Sequence, residues 1–384
     1  MKAKARHLPD FELADVLNAR KEDLASIVNN SWKCRTLYAL SRCRTAAMGG
    51  HIDRCSDPEC GKLHLSYNSC RNRHCPKCQG HLREQWMAAR EKELVNCSYF
   101  HVVFTLPHHL NEWALSEPKL IYGLLFKTAW GVIRDFAANP EFMGAKSGMC
   151  AVLHTWGQNL SLHPHLHCIV PAGGLSPSGR WKASKSKGRF LFPVKEMGRV
   201  FRARFVAALR KSALVSATLS DKLFAKPWVV YCKQPFFGAR QVVEYLGRYT
   251  HKIAISNHRI VSMANGCVTF KAKDYRDKGK SVLVQLDECE TIRRFALHIL
   301  PKGFTRIRHY GLLSSTSKVA AKLVIDAQLG AVAVPERTSP IPHRLCPVCK
   351  KGTLQTIALF DGRGPPKHWL YLLRSSSKKQ RLWT

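Results

Sequence analysis

Seven of the chain's fifteen cysteines fall between Cys34 and Cys78, and their pairing constrains the N-terminal quarter more than any other feature. In HIDRCSDPECGKLHLSYNSCRNRHCPKCQ, Cys55 and Cys60 enclose four residues, fourteen more follow, and Cys75 and Cys78 close a Cys-Pro-Lys-Cys knuckle. A polar stretch of this length has too few apolar residues to fold unaided, so metal bonds must supply the missing energy. The expectation is one structural zinc held by Cys55, Cys60, Cys75 and Cys78, four thiolates being the usual closed tetrahedral set. Cys70 and His74 are near enough in sequence to replace a ligand or hold a second ion. A further knuckle, Cys346 and Cys349 in HRLCPVCKKG, has only His343 beside it, and the sequence leaves open whether it binds metal.

Charge sets the partner. Sixty-one Lys and Arg against twenty-six Asp and Glu give a formal charge of +35. Basic residues run from Lys2 to Arg381 and alternate with aromatics from Arg199 to Phe205 and from Phe304 to Tyr310. A long positive track meeting many phosphates accounts for that distribution, so the expected partner is nucleic acid. The most apolar stretch, Gly123 to Ile133, is broken by Lys127, which argues against a membrane span. The opening MKAKARHLPDFELADV turns from basic to acidic with no apolar segment between, unlike a secretory signal, and the chain is expected in the cytoplasm.

Hydrophobic spacing divides the chain into three expected parts: a helical and zinc-binding module over 1–96, a catalytic domain over 97–330, and a cysteine-containing segment with a basic tail over 331–384. Residues 8–48 have helical spacing, with Phe11, Leu13, Val16, Leu17, Leu24 and Ile27 on the apolar face, and a charged helix follows from His81 to Leu94. From Tyr99 the pattern becomes strand-like, at 99–106, 151–156, 165–170, 228–232, 260–263, 268–272 and 281–286, with Asn265-Gly266 as a hairpin turn. Helical patterns at 118–137, 194–214, 239–252, 287–299 and 317–329 separate them. The expected class is α+β, with one largely antiparallel sheet flanked by helices. The Pro-rich and then basic end, closing in SSSKKQRLWT, is expected to be a linker and a phosphate-binding tail.

Two segments could carry chemistry. On a strand SLHPHLHCIV, alternation sends Leu166, Cys168 and Val170 into a core and His163, His165 and His167 to the other face. Two imidazoles on a rigid strand can grip a divalent ion and leave positions open for a phosphate. An idle exposed pair fits the same alternation. In VVEYLGRYTHK, Tyr245 and Tyr249 lie one helical turn apart on one face. Packing on a sheet would explain the phenols, but Arg248, His251 and Lys252 beside them suit a phosphate better than a core.

Taken together, the cysteine pairs leading into NSCRNRHCPKCQ, then HVVFTLP, HPHLHCIVPAGG, VVEYLGRYTHKIAISNHRI and LHILPKGFTRIRHYGLL resemble the insertion sequence ninety-one family of rolling-circle transposases. These are two-tyrosine members of the HUH endonuclease superfamily, U being an apolar residue. The likeness runs from about Cys43 to Leu313, although the Cys55–Cys60 loop is longer than the family's usual knuckle. It implies an HUH-type antiparallel sheet, a magnesium or manganese ion at His165 and His167, and a third ligand among Gln158, His154 and His163. It also implies cleavage of single-stranded or hairpin DNA at element ends through a 5′-phosphotyrosine on Tyr249 or Tyr245. Arg71, Arg73 and Lys77 of the zinc module, with Arg248, His251 and Lys252, would then contact DNA. Two rival readings are a replication initiator or relaxase with the same chemistry, and a non-enzymatic zinc protein that only binds DNA.

Overall fold

The computed structural model of the 384-residue chain describes residues 9–185, 191–212, 216–236, 247, 252–275, 277–332 and 344–369. Strands β1 (Gly50–Cys55) and β2 (Leu63–Tyr67) form a hairpin. They are followed by β3 (Tyr99–Thr105), β4 (Gly148–Trp156), β5 (Leu162–Pro171), β6 (Gly173–Leu175), β7 (Trp181–Ala183) and β8 (Val230–Phe236). The remaining strands are β9 (Ile260–Ala264), β10 (Cys267–Asp274), β11 (Lys280–Asp287), β12 (Ile307–Gly311) and β13 (Leu354–Phe360). Helices α1 (Leu13–Ala19), α2 (Leu24–Ile27) and α3 (Ser31–Ser41) precede the first hairpin, and α4 (Gln79–Glu91) follows it. Then come α5 (Asn111–Ser116), α6 (Pro118–Ala138), α7 (Val194–Lys211), α8 (Ala217–Phe224), α9 (Glu288–Leu297) and α10 (Lys318–Leu329). The fold is mixed α+β, with antiparallel sheets flanked by helices.

The central sheet has the order β12-β4-β5-β3-β8, every pair antiparallel. Alternation along β5 builds its two faces. Leu166, Cys168 and Val170 join Phe100, Val102, Phe104, Ala151 and Leu153 against α6 and α7 in the main core. Phe104 meets Phe201 of α7 edge to face, ring centroids 5.1 Å apart. Burying side chains of this size contributes about 1.5–3 kcal/mol each. Helix α6 starts on Pro118, whose fixed φ and missing N–H cost nothing in a first turn. The imidazoles of β5 take the opposite face.

On that face the sheet is flanked by two satellite cores. Trp156 and Leu160 pack with α1, α3, α9 and the small β11-β10-β9 sheet, while Tyr99 and Ile169 pack with Leu94, Ala321 and Ile325. The histidines sit between the two. The small sheet is separate from the central one, and β6 pairs only with β7, so the described residues of 97–330 form three sheets where one was expected. Its β9–β10 connection is the expected Asn265-Gly266 turn, with φ of 51° and 72°.

The C-terminal segment differs from a plain linker and tail. Its β13 pairs antiparallel with β1 and completes the sheet β13-β1-β2, from Gly50 opposite Phe360 to Cys55 opposite Leu354. The helix expected over 239–252 and the basic end after residue 369 lie outside the described residues, apart from Gly247 and Lys252. Among the described residues no helix is long and apolar enough to cross a membrane.

Candidate functional site

Strand register assembles the histidine cluster. His154 on β4 lies directly opposite His165 on β5, and His167 follows two residues on, along the same face. Ligating nitrogens of His154, His165 and His167 all lie within 4.8 Å of one another. The Nε2 atoms of His165 and His167 are 3.2 Å apart. Nδ1 of His165 sits 2.6 Å from the carbonyl oxygen of His163. A carbonyl only accepts, so Nδ1 carries the hydrogen and Nε2 keeps its lone pair.

Burial keeps these rings neutral. His165 is pushed down to about 4, chiefly by desolvation, and His167 is held well below its ordinary value by burial and then by the charge of neighbouring groups. His101 on β3 has Nε2 2.9 Å from Nδ1 of His167 and is also pushed down to about 4 by burial. His154 is buried and stacks on Trp156 at 4.5 Å.

Of the three residues considered as a third ligand, His154 stands with the pair. His163 is exposed, and Gln158 directs its side-chain Nε2 to the Tyr275 hydroxyl at 3.4 Å, while its backbone carbonyl accepts from Arg259. His165 and His167 Nε2 atoms fit a common ion, since a metal with bonds of about 2.1 Å presents ligand edges of roughly 3.0–3.4 Å in octahedral or tetrahedral geometry.

Two cations border the cluster. Lys252 is exposed, its ammonium is disfavoured by desolvation and then by Arg259, and its charge lowers both His165 and His167. Arg306 is buried, lies over the Trp156 ring at 5.2 Å, and donates from Nε to the Leu153 carbonyl at 3.1 Å and from Nη2 to the Lys252 carbonyl at 2.5 Å. Burial and then the charge of Arg73 push it down to about 9, which leaves it protonated at neutral pH. Sequence reasoning passed over His101 and Arg306. Both lie inside the motifs HVVFTLP and FTRIRHY, and the signal that marks them is polarity in otherwise strand-like runs.

The cysteines fall into two tetrads rather than one. Cys43, Cys70, Cys75 and Cys78 converge, with Cys78 Sγ 3.6 Å from Cys43 and 3.7 Å from Cys70. Cys55 and Cys60 instead meet Cys346 and Cys349. The expected grouping of Cys55 and Cys60 with Cys75 and Cys78 is therefore corrected. Cys55 ends β1 at the turn of the hairpin, and β2 then carries the chain back to Tyr67 opposite Gly50. Five strand residues span about 17 Å, too far for one ion to bridge. The neighbour His74 accepts from the Leu300 amide at 3.4 Å, outside both tetrads.

The zinc-module cations are spoken for within the chain to differing degrees. Arg73 donates to the carbonyls of Pro301 and Phe304, and Lys77 pairs with Glu12 at 2.5 Å. Arg71 is exposed on a backbone with φ of 50°. Tyr245, Tyr249, Arg248 and His251 lie outside the described residues. Between the tyrosines, Gly247 is helical and buried, and a Cβ there would run into Sδ of Met87 on α4.

A family model described as a putative transposase matches residues 148–320, and another, described as a transposase zinc-binding domain, matches residues 17–106. The first spans β4, β5 and Arg306, and the second holds the first tetrad. The chain is 42% identical over 369 residues to a putative transposase of Sinorhizobium fredii, covering 87% of this chain and 92% of that one. It is 28% identical over 297 residues to the transposase for insertion sequence element IS801 of Pseudomonas savastanoi pv. phaseolicola, covering 73% of this chain and 70% of the relative. No solved structure matches it. The class is thus that of the transposases, enzymes that act on DNA. The chain belongs to the insertion sequence ninety-one family of transposases.

Proposed function

We propose that this transposase cuts and rejoins single-stranded DNA at the ends of its element, through a 5′-phosphotyrosine, in rolling-circle transposition. The observation that carries the reading is the convergence of His154, His165 and His167 on one face of the central sheet, with the His165 tautomer set by the His163 carbonyl.

Magnesium or manganese, held by His165 and His167 with His154 as third ligand, would polarise the scissile phosphate as a Lewis acid. The chain's own residues supply the rest. Burial keeps the imidazoles neutral, the state in which they can ligate. Lys252 and Arg306 place positive charge beside the cluster, which draws in the phosphodiester and offsets charge growing on its oxygens. Tyr245 and Tyr249 are the proposed nucleophiles. A phenol, with a pKa near 10, reacts poorly alone, so its attack needs a phosphate already fixed and neutralised. The phenol oxygen forms a bond to phosphorus, the bond to the 3′ oxygen breaks, and the phenol proton leaves as the 3′-hydroxyl gains one. The phosphotyrosine keeps the bond energy for rejoining. A second tyrosine allows a second strand to be cut before the first is resolved.

The zinc module, held by its cysteine tetrad, would present Arg71 and its neighbours to DNA. The test is mass spectrometry of purified protein incubated with a single-stranded oligonucleotide of an element end and manganese. A covalent adduct, abolished by EDTA and mapped to Tyr245 or Tyr249, is expected. Binding with no adduct and no nick would leave the non-enzymatic reading standing instead.

A further inference from the structure

The second cysteine tetrad joins parts of the chain almost three hundred residues apart and lies outside what the zinc-domain match covers, since Cys346 and Cys349 are beyond residue 106. We propose that Cys55, Cys60, Cys346 and Cys349 bind a second structural zinc ion, which fastens the C-terminal segment to the N-terminal hairpin as a two-part zinc ribbon.

The spacing of the sulfurs is the first argument. Cys55 Sγ is 3.6 Å from Cys349 Sγ and Cys60 Sγ is 3.8 Å from Cys346 Sγ. A zinc ion with bonds of about 2.3 Å to four thiolates sets its sulfurs about 3.8 Å apart, whereas a disulfide needs about 2.05 Å. The same spacing recurs in the tetrad that lies within the zinc-domain match.

The backbone is shaped to the same end. Cys346 and Cys349 sit in a Cys-x-x-Cys knuckle where the amide of Gly352 donates to Cys349 Sγ at 3.4 Å, and the longer Cys55–Cys60 loop turns on the Asp57 carbonyl, which accepts from the Cys60 and Gly61 amides. A Cβ on Gly352 would collide with Cys55 Sγ and the Asp57 backbone, so only glycine lets the knuckle and the loop close on each other. Nε2 of His64 on β2 lies 3.4 Å from Cys346 Sγ and can donate a hydrogen bond to a thiolate there.

The rest of the join is ordered but thin. β13 adds one strand to β1, and its Ile357 and Leu359 are exposed. Asp53, fully buried, accepts from Arg344 at 2.8 Å and from Thr356 at 2.7 Å. A strand with so little apolar cover needs another source of folding energy, which a closed zinc site provides.

Full-length protein stripped of metal and titrated with cobalt should develop the visible bands of tetrahedral thiolate coordination up to two equivalents per chain, and purified native protein should contain two zinc ions by elemental analysis. Cys346→Ser with Cys349→Ser should leave one, as should Cys75→Ser with Cys78→Ser. Because such variants could misfold, a protease site inserted between residues 335 and 343 of the otherwise native chain gives an independent measure. After cleavage the C-terminal fragment should remain bound, and a strong chelator should release it. A cobalt end-point at one equivalent, iron in place of zinc, alkylation showing these four cysteines oxidised in pairs, or a fragment that leaves with metal present or stays after the metal is gone would overturn the proposal.

Discussion

Nε2 of His101 lies 2.9 Å from Nδ1 of His167, a contact between β3 and β5 that points away from the cluster's ligating nitrogens. For His167 to offer its Nε2 lone pair to an ion, Nδ1 must carry the hydrogen and donate it, and His101 is the acceptor in place. Replacing His101 with Phe keeps the volume but removes the acceptor. Partners of this kind typically contribute roughly 10–100-fold in metal affinity. Manganese affinity measured by electron paramagnetic resonance should fall by that factor while zinc content and melting temperature hold. Unchanged manganese binding would show that His101 is only a packing residue.

The ligands themselves allow a sharper test. His165→Ala or His167→Ala should abolish nicking of a single-stranded substrate and leave the cysteine-bound zinc intact, because the tetrads share no residue with the histidine cluster. His154→Ala should lower cleavage less than either. Full nicking by the His165, His167 double variant would remove the cluster from the chemistry altogether.

Acid should destabilise the fold through a different histidine. His298 is buried, with Nδ1 3.2 Å from the Thr155 hydroxyl and Nε2 3.1 Å from the Leu160 carbonyl, an arrangement that suits the neutral ring. Burial pushes it from 6.5 down to about 4, so the unfolded chain takes up a proton more readily than the folded one. The stabilising contribution is therefore whole above about pH 6.5, shrinks as the pH falls, and is gone at about pH 4, a total on the order of 3 kcal/mol. Denaturant unfolding from pH 7 to 4 should show a smaller loss in His298→Gln than in the parent. Parallel curves would mean that the ring is not held neutral.

What the sequence could and could not reveal follows distance along the chain. Alternation on β5 is local, so the inward Leu166, Cys168 and Val170 and the outward histidines could be read directly, as could the Asn265-Gly266 turn. The cysteine partners are not legible because nearness in sequence is not nearness in space here. The β1–β2 hairpin carries Cys60 away from Cys75, and the partners of Cys55 and Cys60 come from β13's end of the chain. His101 sits in a run whose Phe100, Val102 and Phe104 face the core, and its value depends on register with β5, which only pairing fixes. Arg306 was legible as a basic residue but not as a buried one, since burial of a guanidinium depends on Trp156 and two carbonyls from distant segments.

Gly247 offers a test of how the tyrosine segment is seated. It is buried, and any Cβ would press on Met87 of α4. Gly247→Val should cost about 1–3 kcal/mol through overpacking and lower adduct formation on the order of 10–100-fold through displacement of the neighbouring phenols. Adding Met87→Ala should restore much of the loss, because the sulfur that blocks the side chain is gone. A double variant no better than Gly247→Val alone would place the defect elsewhere.

The division of labour between the phenols is the last expectation. One helical turn is about 5.4 Å, so on a helix Tyr245 and Tyr249 could reach the same phosphate only with a modest shift of helix or substrate. Phe substitutions remove the hydroxyl and keep the packing, so lost activity reports lost chemistry. The double variant should form no covalent adduct. Tyr249 is the expected first nucleophile, being flanked in sequence by Arg248, His251 and Lys252, and Lys252 borders the histidine cluster. Tyr249→Phe should therefore lose the adduct on a short oligonucleotide while Tyr245→Phe retains it, yet both should fail to transpose in cells, since a complete cycle requires two strand transfers. Normal transposition by Tyr245→Phe would make Tyr245 a packing residue and leave this chain with a single nucleophile.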